Sequence, residues 1–294
     1  MNRDPVQILD AARPPAGARP PLPAYVKASL AWHAGAGVAA LAMPSTWPWA
    51  FGAVVANHLV LTGAGLWPRS TWLGRNLTRL PGAAAARREV AITIDDGPDP
   101  EVTPAVLDLL DAHHVHATFF AIAGIAVAMP ALCREIVRRG HSVQNHSDRH
   151  SNRFSLLGPA AMAREVGAAQ ARLADITGIE PRFFRAPAGL RNPFLAPVLD
   201  RFDLRLVSWT RRGFDTVRKD PARVLARLAT GLGAGDILLV HDGHAARTAS
   251  GRPVVLDVLP ALLERCAAAS LCAVTLPAAL GTNGEGAPAD AVAG

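Results

Sequence analysis

Asp95 and Asp96 stand side by side in the string Thr93–Pro100, which reads TIDDGPDP. Adjacent carboxylates can divide labour, one holding a metal ion while its neighbour moves a proton. Asp-Asp-Gly-Pro is also good turn chemistry, so alone the string decides nothing. His146 and His150 add a second element, because imidazoles at i and i+4 can share one face and bind one ion. Two nitrogens and one carboxylate oxygen leave a position open for water, which a hydrolytic metal centre needs. His113, His114, His116 and His141 are rivals, but they fall before apolar runs rather than after them. Arg185 and His241 each close a further apolar run.

Those runs are the elements that must position the chemistry. Val90–Ile94, Thr118–Ile122, Ser142–Asn145, Phe183–Arg185, Leu204–Trp209, Ile237–Val240 and Leu271–Thr275 are short, apolar and bounded by Gly, Pro or Asp, as strands are. Between them Thr103–His113, Pro130–Arg139, Pro159–Thr177, Pro193–Arg201, Pro221–Leu232 and Pro253–Ala269 read as helices, several opening on a proline that a first turn tolerates. Strict β–α alternation predicts a parallel sheet covered by helices. The fold class is therefore α/β, a distorted (β/α) barrel with parallel strands, preceded by an N-terminal apolar helical hairpin. Barrels gather their functional groups at the C-terminal strand ends, where Asp95, Asp96, His146, Arg185 and His241 all fall.

The chain has 294 residues and divides by composition. Residues 1–27 are rich in Pro and Ala without apolar period and read as a disordered tail. Ala28–Met43 and Trp47–Leu66 carry no charge, and Pro44-Ser45-Thr46 breaks them like a turn. With Trp32, Trp47, Trp49, Trp67 and Trp72 in and around them, residues 28–67 read as a membrane helical hairpin. A signal peptide fits less well, because the apolar run starts late and a second follows. A pair of soluble helices capping the barrel is the other alternative, given the Ala and Gly content and His33, Asn57 and His58. Residues 68–88 read as a basic linker with Arg69, Arg75, Arg79, Arg87 and Arg88. Basic flanks and an uncharged connector put both flanks in the cytoplasm, hence the inner membrane with the main domain facing the cytoplasm. Residues 89–280 form that domain, and 281–294 read as a second disordered tail.

The net charge of +6 comes almost wholly from arginine, Lys27 and Lys219 being the only lysines. No basic run interleaved with aromatics appears, which excludes nucleic acid as the expected partner. Cys133, Cys266 and Cys272 form no C-x-x-C pair, which argues against a disulfide framework or a thiolate zinc site and reads as buried small hydrophobes.

The string TIDDGPDP resembles the first signature of the polysaccharide deacetylase (NodB-like) family of carbohydrate esterases. His146–His150 is similar to the second, Arg185-Ala186-Pro187-Ala188-Gly189 to the third, and Leu239-Val240-His241-Asp242-Gly243 to the fifth. Order and spacing agree from about Val90 to Thr275. The resemblance implies Asp96, His146 and His150 as ligands of a divalent metal, usually Zn2+. It implies Asp95 as the base toward a metal-activated water, His241 as the acid and Arg185 as the group that holds Asp95. Asp215 resembles the fourth-motif carboxylate that orients His241, and the backbone N–H of Ala188 takes the oxyanion position. Ala188 stands where the family has an aromatic residue, and Thr216 where it has Trp. Asn145, Asp148, Gly189, Trp209, His244 and Arg247 lie near the expected mouth as candidate substrate contacts.

The resemblance implies hydrolysis of an N-acetyl group from an amino sugar, with an N-acetylated sugar polymer or a lipid-linked amino sugar as partner. A cytoplasmic face and an arginine collar that could meet lipid phosphate favour the lipid-linked partner. The alternatives are a small-molecule amidase or deformylase on the same barrel, or a non-catalytic glycan-binding protein. No residue pattern speaks to oligomeric state.

Overall fold

The structure, a computed structural model, describes residues 22–281. Of the tails expected over residues 1–27 and 281–294, residues 1–21 and 282–294 lie outside the described residues. The first helix, α1 (Ala24–Ala42), begins inside the expected N-terminal tail, directly after Pro23. Trp47–Leu66 forms α2, after a short 3-10 turn at Pro44–Thr46. The two helices run antiparallel, since Tyr25 and Ser29 meet Asn57 while Thr46 reaches back to Ala39. Among the described residues, Pro44–Leu66 is the helical stretch long and apolar enough to cross a membrane.

Among the described residues eight strands follow: β1 (Glu89–Asp95), β2 (Thr118–Ala121), β3 (Ser142–Asn145), β4 (Phe183–Phe184), β5 (Arg205–Leu206), β6 (Arg211–Arg212), β7 (Ile237–His241) and β8 (Cys272–Ala273). Their order is β5-β4-β3-β2-β1-β7-β6, with β8 also on β1, and the pairings are parallel. This is a half-barrel wrapped by helices, as the β–α alternation predicts. The expected strand Leu204–Trp209 is a correction: it is cut to β5, and β6 follows as a separate strand.

The helices after α2 are α3 (Gly82–Ala86), α4 (Val102–Ala112), α5 (Ala123–Ala128), α6 (Pro130–Arg138), α7 (Pro159–Thr177), α8 (Leu195–Arg201), α9 (Pro221–Ala229), α10 (Val255–Ala268) and α11 (Leu276–Ala279). Side chains alternate along β1. Val90, Ile92 and Ile94 pack with Leu107 and Leu110 of α4, Ile136 of α6, Leu228 of α9 and Leu259 and Leu262 of α10. Ala91 lies in a second apolar cluster, and Thr93 and Asp95 meet Arg185, so this face carries the chemistry. Cys133 and Cys266 are buried as expected, but Cys272 is exposed, because alternation along β8 buries Ala273 and turns Cys272 to the outer face.

Residues 68–88 are not a linker. Leu73, Leu77, Leu80 and Ala84 are buried, and the last three pack with Phe120, Phe183, Val207 and Ile237. Leu77 donates its N–H to Leu206, and Leu80 donates to Gly235, at 2.9 and 2.8 Å. The segment thus spans the gap between the β5 edge and the β6–β7 edge, which hydrogen bonds between strands leave open. Its arginines serve the same end. Arg79 pairs with Asp236 at 2.8 Å, Arg87 with Glu89 at 2.7 Å, and Arg88 donates to the carbonyls of Ala269 and Ser270. These three are therefore not free to form a lipid-facing collar.

Candidate active site

Asp95 ends β1 and is 2 % exposed. Arg185, just past β4 and 1 % exposed, donates to Asp95 Oδ1 at 2.6 Å and to Thr93 Oγ1 at 2.9 Å. Its other nitrogens donate to the carbonyls of Ser208 and Val207, and its Cζ lies 4.1 Å from the Phe120 ring centroid. A buried cation so held fixes the orientation of the carboxylate. Burial, with the like charge of Arg212, pushes Arg185 below its ordinary value, and the charge and hydrogen bond of Asp95 oppose this.

Asp96 turns out of the strand with φ +74°. Its Oδ1 lies 3.1 Å from His146 Nε2 and 3.2 Å from His150 Nε2. That oxygen is buried and makes no hydrogen bond. The three ligating atoms all lie within 4.8 Å of one another. His146 donates Nδ1–H to the Arg185 carbonyl at 2.8 Å, which leaves the Nε2 lone pair facing Asp96. An orphaned oxygen and two imidazole nitrogens aimed at one point fit a divalent ion of the zinc type. Burial works against ionised Asp96, but the close approach and charge of His146, with the charges of His241 and His150, hold it well below the usual carboxylate range. Burial and the like charge of His146 push His150 down to about 4, so it is a neutral, ligand-ready imidazole at pH 7.

His241 ends β7 directly opposite Asp95 on β1. Asp215, fully buried, takes both of its hydrogen bonds from this residue: Nδ1–H at 2.9 Å and the backbone N–H at 2.7 Å. Burial alone would lower the imidazole, yet the charge and hydrogen bond of Asp215 raise it above its ordinary value. Two glycines allow the motif loops to interlock. A Cβ on Gly97 would lie 2.4 Å from the Asp242 carboxylate, and one on Gly243 2.2 Å from the Asp96 carbonyl oxygen. Asp96, Ser147, His150, Ala188 and His244 all hold left-handed backbone, strain of about 1–3 kcal/mol each that the surrounding packing must sustain.

These groups share one cavity of about 690 Å³. Asp95, Asp96, His146, His150 and His241 line it, as do Asp148, Ala188, Gly189, Trp209 and His244. Arg185 and Asp215 stand behind the wall and touch it through Asp95 and His241. Two candidate contacts are corrections. Asn145 is fully buried and faces α7, bonded to Val166, Gln170 and the N–H of Ser147. Arg247 is drawn away from the cavity to Glu101 at 2.7 Å. Arg149, Asn152, Ile122, Ile125 and Arg212 line the cavity without having been singled out in the sequence. For Arg149 and Asn152 the available signal was their place beside His150. Thr216 also lines it, so the missing aromatic side chain opens this wall.

A family profile described as polysaccharide deacetylase matches residues 82–207. A chitooligosaccharide deacetylase of Bradyrhizobium is 35% identical over 164 residues, 55% of this chain and 74% of that protein. The chain belongs to the polysaccharide deacetylase family. It is a hydrolase of the class that cleaves linear amide C–N bonds. A peptidoglycan-N-acetylglucosamine deacetylase of Listeria monocytogenes is 30% identical over 167 residues, 57% of this chain but 35% of its own length. A family 4 carbohydrate esterase of Streptomyces lividans, solved with acetate, is 30% identical with a TM-score of 0.57, covering 63% of this chain and 91% of that one. The half-barrel with its surrounding helices is the fold of these polysaccharide deacetylases.

Proposed function

We propose that this protein hydrolyses the N-acetyl group of an amino sugar in a glycan or membrane glycolipid. One observation carries the reading: the Asp96–His146–His150 cluster, the Arg185-held Asp95 and the Asp215-backed His241 meet in a single cavity. A divalent ion at Asp96, His146 and His150 supplies Lewis acidity toward an acyl oxygen and a water. Asp95 accepts the proton of the attacking water, held and oriented by Arg185. The main-chain N–H of Ala188 faces the growing negative charge on the acyl oxygen. His241 gives its Nε2 proton to the departing amine, while Asp215 keeps Nδ1 protonated. Acetate and a free amino sugar are the products. Acetate release from N-acetylglucosamine oligomers tests this. Chelation that leaves the rate unchanged would sink it, and sugar binding without acetate release would favour a non-catalytic glycan-binding protein. Release from small free amides alone would favour the amidase or deformylase reading.

The helical hairpin directs the reading toward a membrane. Leu41 and Trp49 are 85 % and 82 % exposed, and apolar side chains cover both helices on every side. A helix apolar all round needs lipid or a protein interior. Several polar side chains of the hairpin satisfy one another or its backbone: Tyr25 to Asn57, Asn57 to Ser29, His33 to the Ser29 carbonyl and His58 to the Val54 carbonyl. That is what hydrocarbon surroundings demand. At 19 residues, α1 reaches about 28 Å, close to the hydrocarbon thickness. The hairpin ends at the cavity, where Arg191 donates to the Gly65 carbonyl, Ser208 donates to that of Pro68, and Pro68 packs on Gly189. A lipid-linked amino sugar at the cytoplasmic face of the inner membrane is the substrate this arrangement favours. Strong periplasmic alkaline phosphatase activity from a C-terminal fusion would refute that orientation.

A further inference from the structure

Arg212 on β6 lies opposite Leu239 on β7, and His241 follows two residues later on the same face. It lines the cavity that holds the catalytic groups. Its neighbour Arg211, on the opposite face, is held by Asp236 and by the carbonyls of Thr230 and Gly231. Arg212 has no such partner. Among the described residues no carboxylate pairs with it, and its Nε is buried without a hydrogen bond. What holds it is aromatic: Trp209 at 5.2 Å and Phe214 at 5.0 Å from the guanidinium carbon. Its charge also opposes that of Arg185. A second cation at this wall, stacked rigid and left without an acid, costs free energy unless a ligand compensates it. A planar guanidinium held by aromatic rings is pre-organised for two-pronged recognition of a phosphate or carboxylate.

We propose that Arg212 binds an oxyanion, phosphate or carboxylate, carried by the sugar substrate, and so selects charged N-acetyl sugars over neutral ones. This rests on the deacetylase reading but is measured apart from turnover. Titration calorimetry on the full chain in detergent would compare N-acetylglucosamine 1-phosphate, N-acetylmuramic acid and methyl N-acetylglucosaminide. The wild type is expected to bind at least one anionic probe about tenfold or more tightly than the neutral one, about 1.4 kcal/mol. Preference for the phosphate probe marks a phosphate-linked sugar, and preference for the muramic acid marks a carboxylated one. Arg212→Met abolishes the preference. If that variant does not fold, Arg212→Lys keeps the charge but loses the fork, and weakens the anionic probe about threefold more than the neutral one. Equal binding of all probes by the wild type, or a preference that survives Arg212→Met, overturns the proposal. The second result would place the anion elsewhere in the cavity. Absence of acetate release, with the anion preference intact, would instead sink the deacetylase reading alone.

Discussion

Asp215→Asn separates orientation from proton supply at His241. Both Asp215 oxygens are used, one on the imidazole Nδ1–H and one on the backbone N–H of the same residue. In the amide, one of those positions becomes a donor. If the oxygen stays on the backbone N–H, the NH2 faces Nδ1 and forces that nitrogen to accept. The imidazolium is then lost, and Nε2–H of the neutral ring is a far weaker acid. With both groups buried, charges roughly 4 Å apart interact by about 4 kcal/mol at an effective dielectric of about 20. At 1.36 kcal/mol per decade this is about a thousandfold in kcat, within the range of about 10²–10⁴ for general acid catalysis. The assay is kcat and KM for acetate release across pH. Asp215 raises His241, so the protonated acid persists to higher pH in the wild type, and the alkaline limb of the variant moves to lower pH. A folded-state pKa that is raised stabilises fully below the unfolded value, about 6.5, and this is lost as pH rises through the folded value. The difference in melting temperature is therefore largest on the acid side. Retention of kcat within about threefold and an unmoved alkaline limb would refute the reasoning.

Asp95→Asn lowers acetate release at least about 10²-fold, and it leaves Arg185 as an uncompensated buried cation at a cost of roughly 3–5 kcal/mol. Kinetics and a thermal melt read the two effects, and an unchanged melting temperature would contradict the pairing described. Gly243→Ala drives a methyl toward the Asp96 carbonyl and costs about 1–3 kcal/mol, with weaker zinc binding in a titration. Equal zinc affinity would show that the Asp96 loop yields freely. Leu77→Ala costs about 2–5 kcal/mol in denaturant unfolding, because the side chain is buried in the second core. A loss under about 0.5 kcal/mol would mean that the segment is a tether.

The chemistry was legible because its residues sit in contiguous strings at the ends of buried strands. Asp95, Asp96, His146, His150 and His241 reach one cavity from three strand ends, a convergence that follows from parallel strands alone. Asn145 misled because it stands beside His146, yet alternation in β3 sends its side chain to the other face, against α7. Arg212 gave no signal, since a two-residue strand has no period to read and its stacking partners lie on either side of it. Residues 68–88 concealed their core role behind arginines, whose partners Asp236 and Glu89 belong to or adjoin β7 and β1. The leucines at 73, 77 and 80 carried the helix-like spacing but sit in an extended bridge across a sheet gap.

The bond from Arg191 to Gly65 has a mechanical side. A Cβ on Gly65 would lie 2.2 Å from the Arg191 carbonyl oxygen, so the helix end and the segment after Gly189 touch backbone to backbone with no side chain as cushion. Pro68 then braces Gly189, next to Ala188. The end of the hairpin is therefore locked to the loop beside Ala188, so the two helices cannot shift against the barrel without displacing that loop.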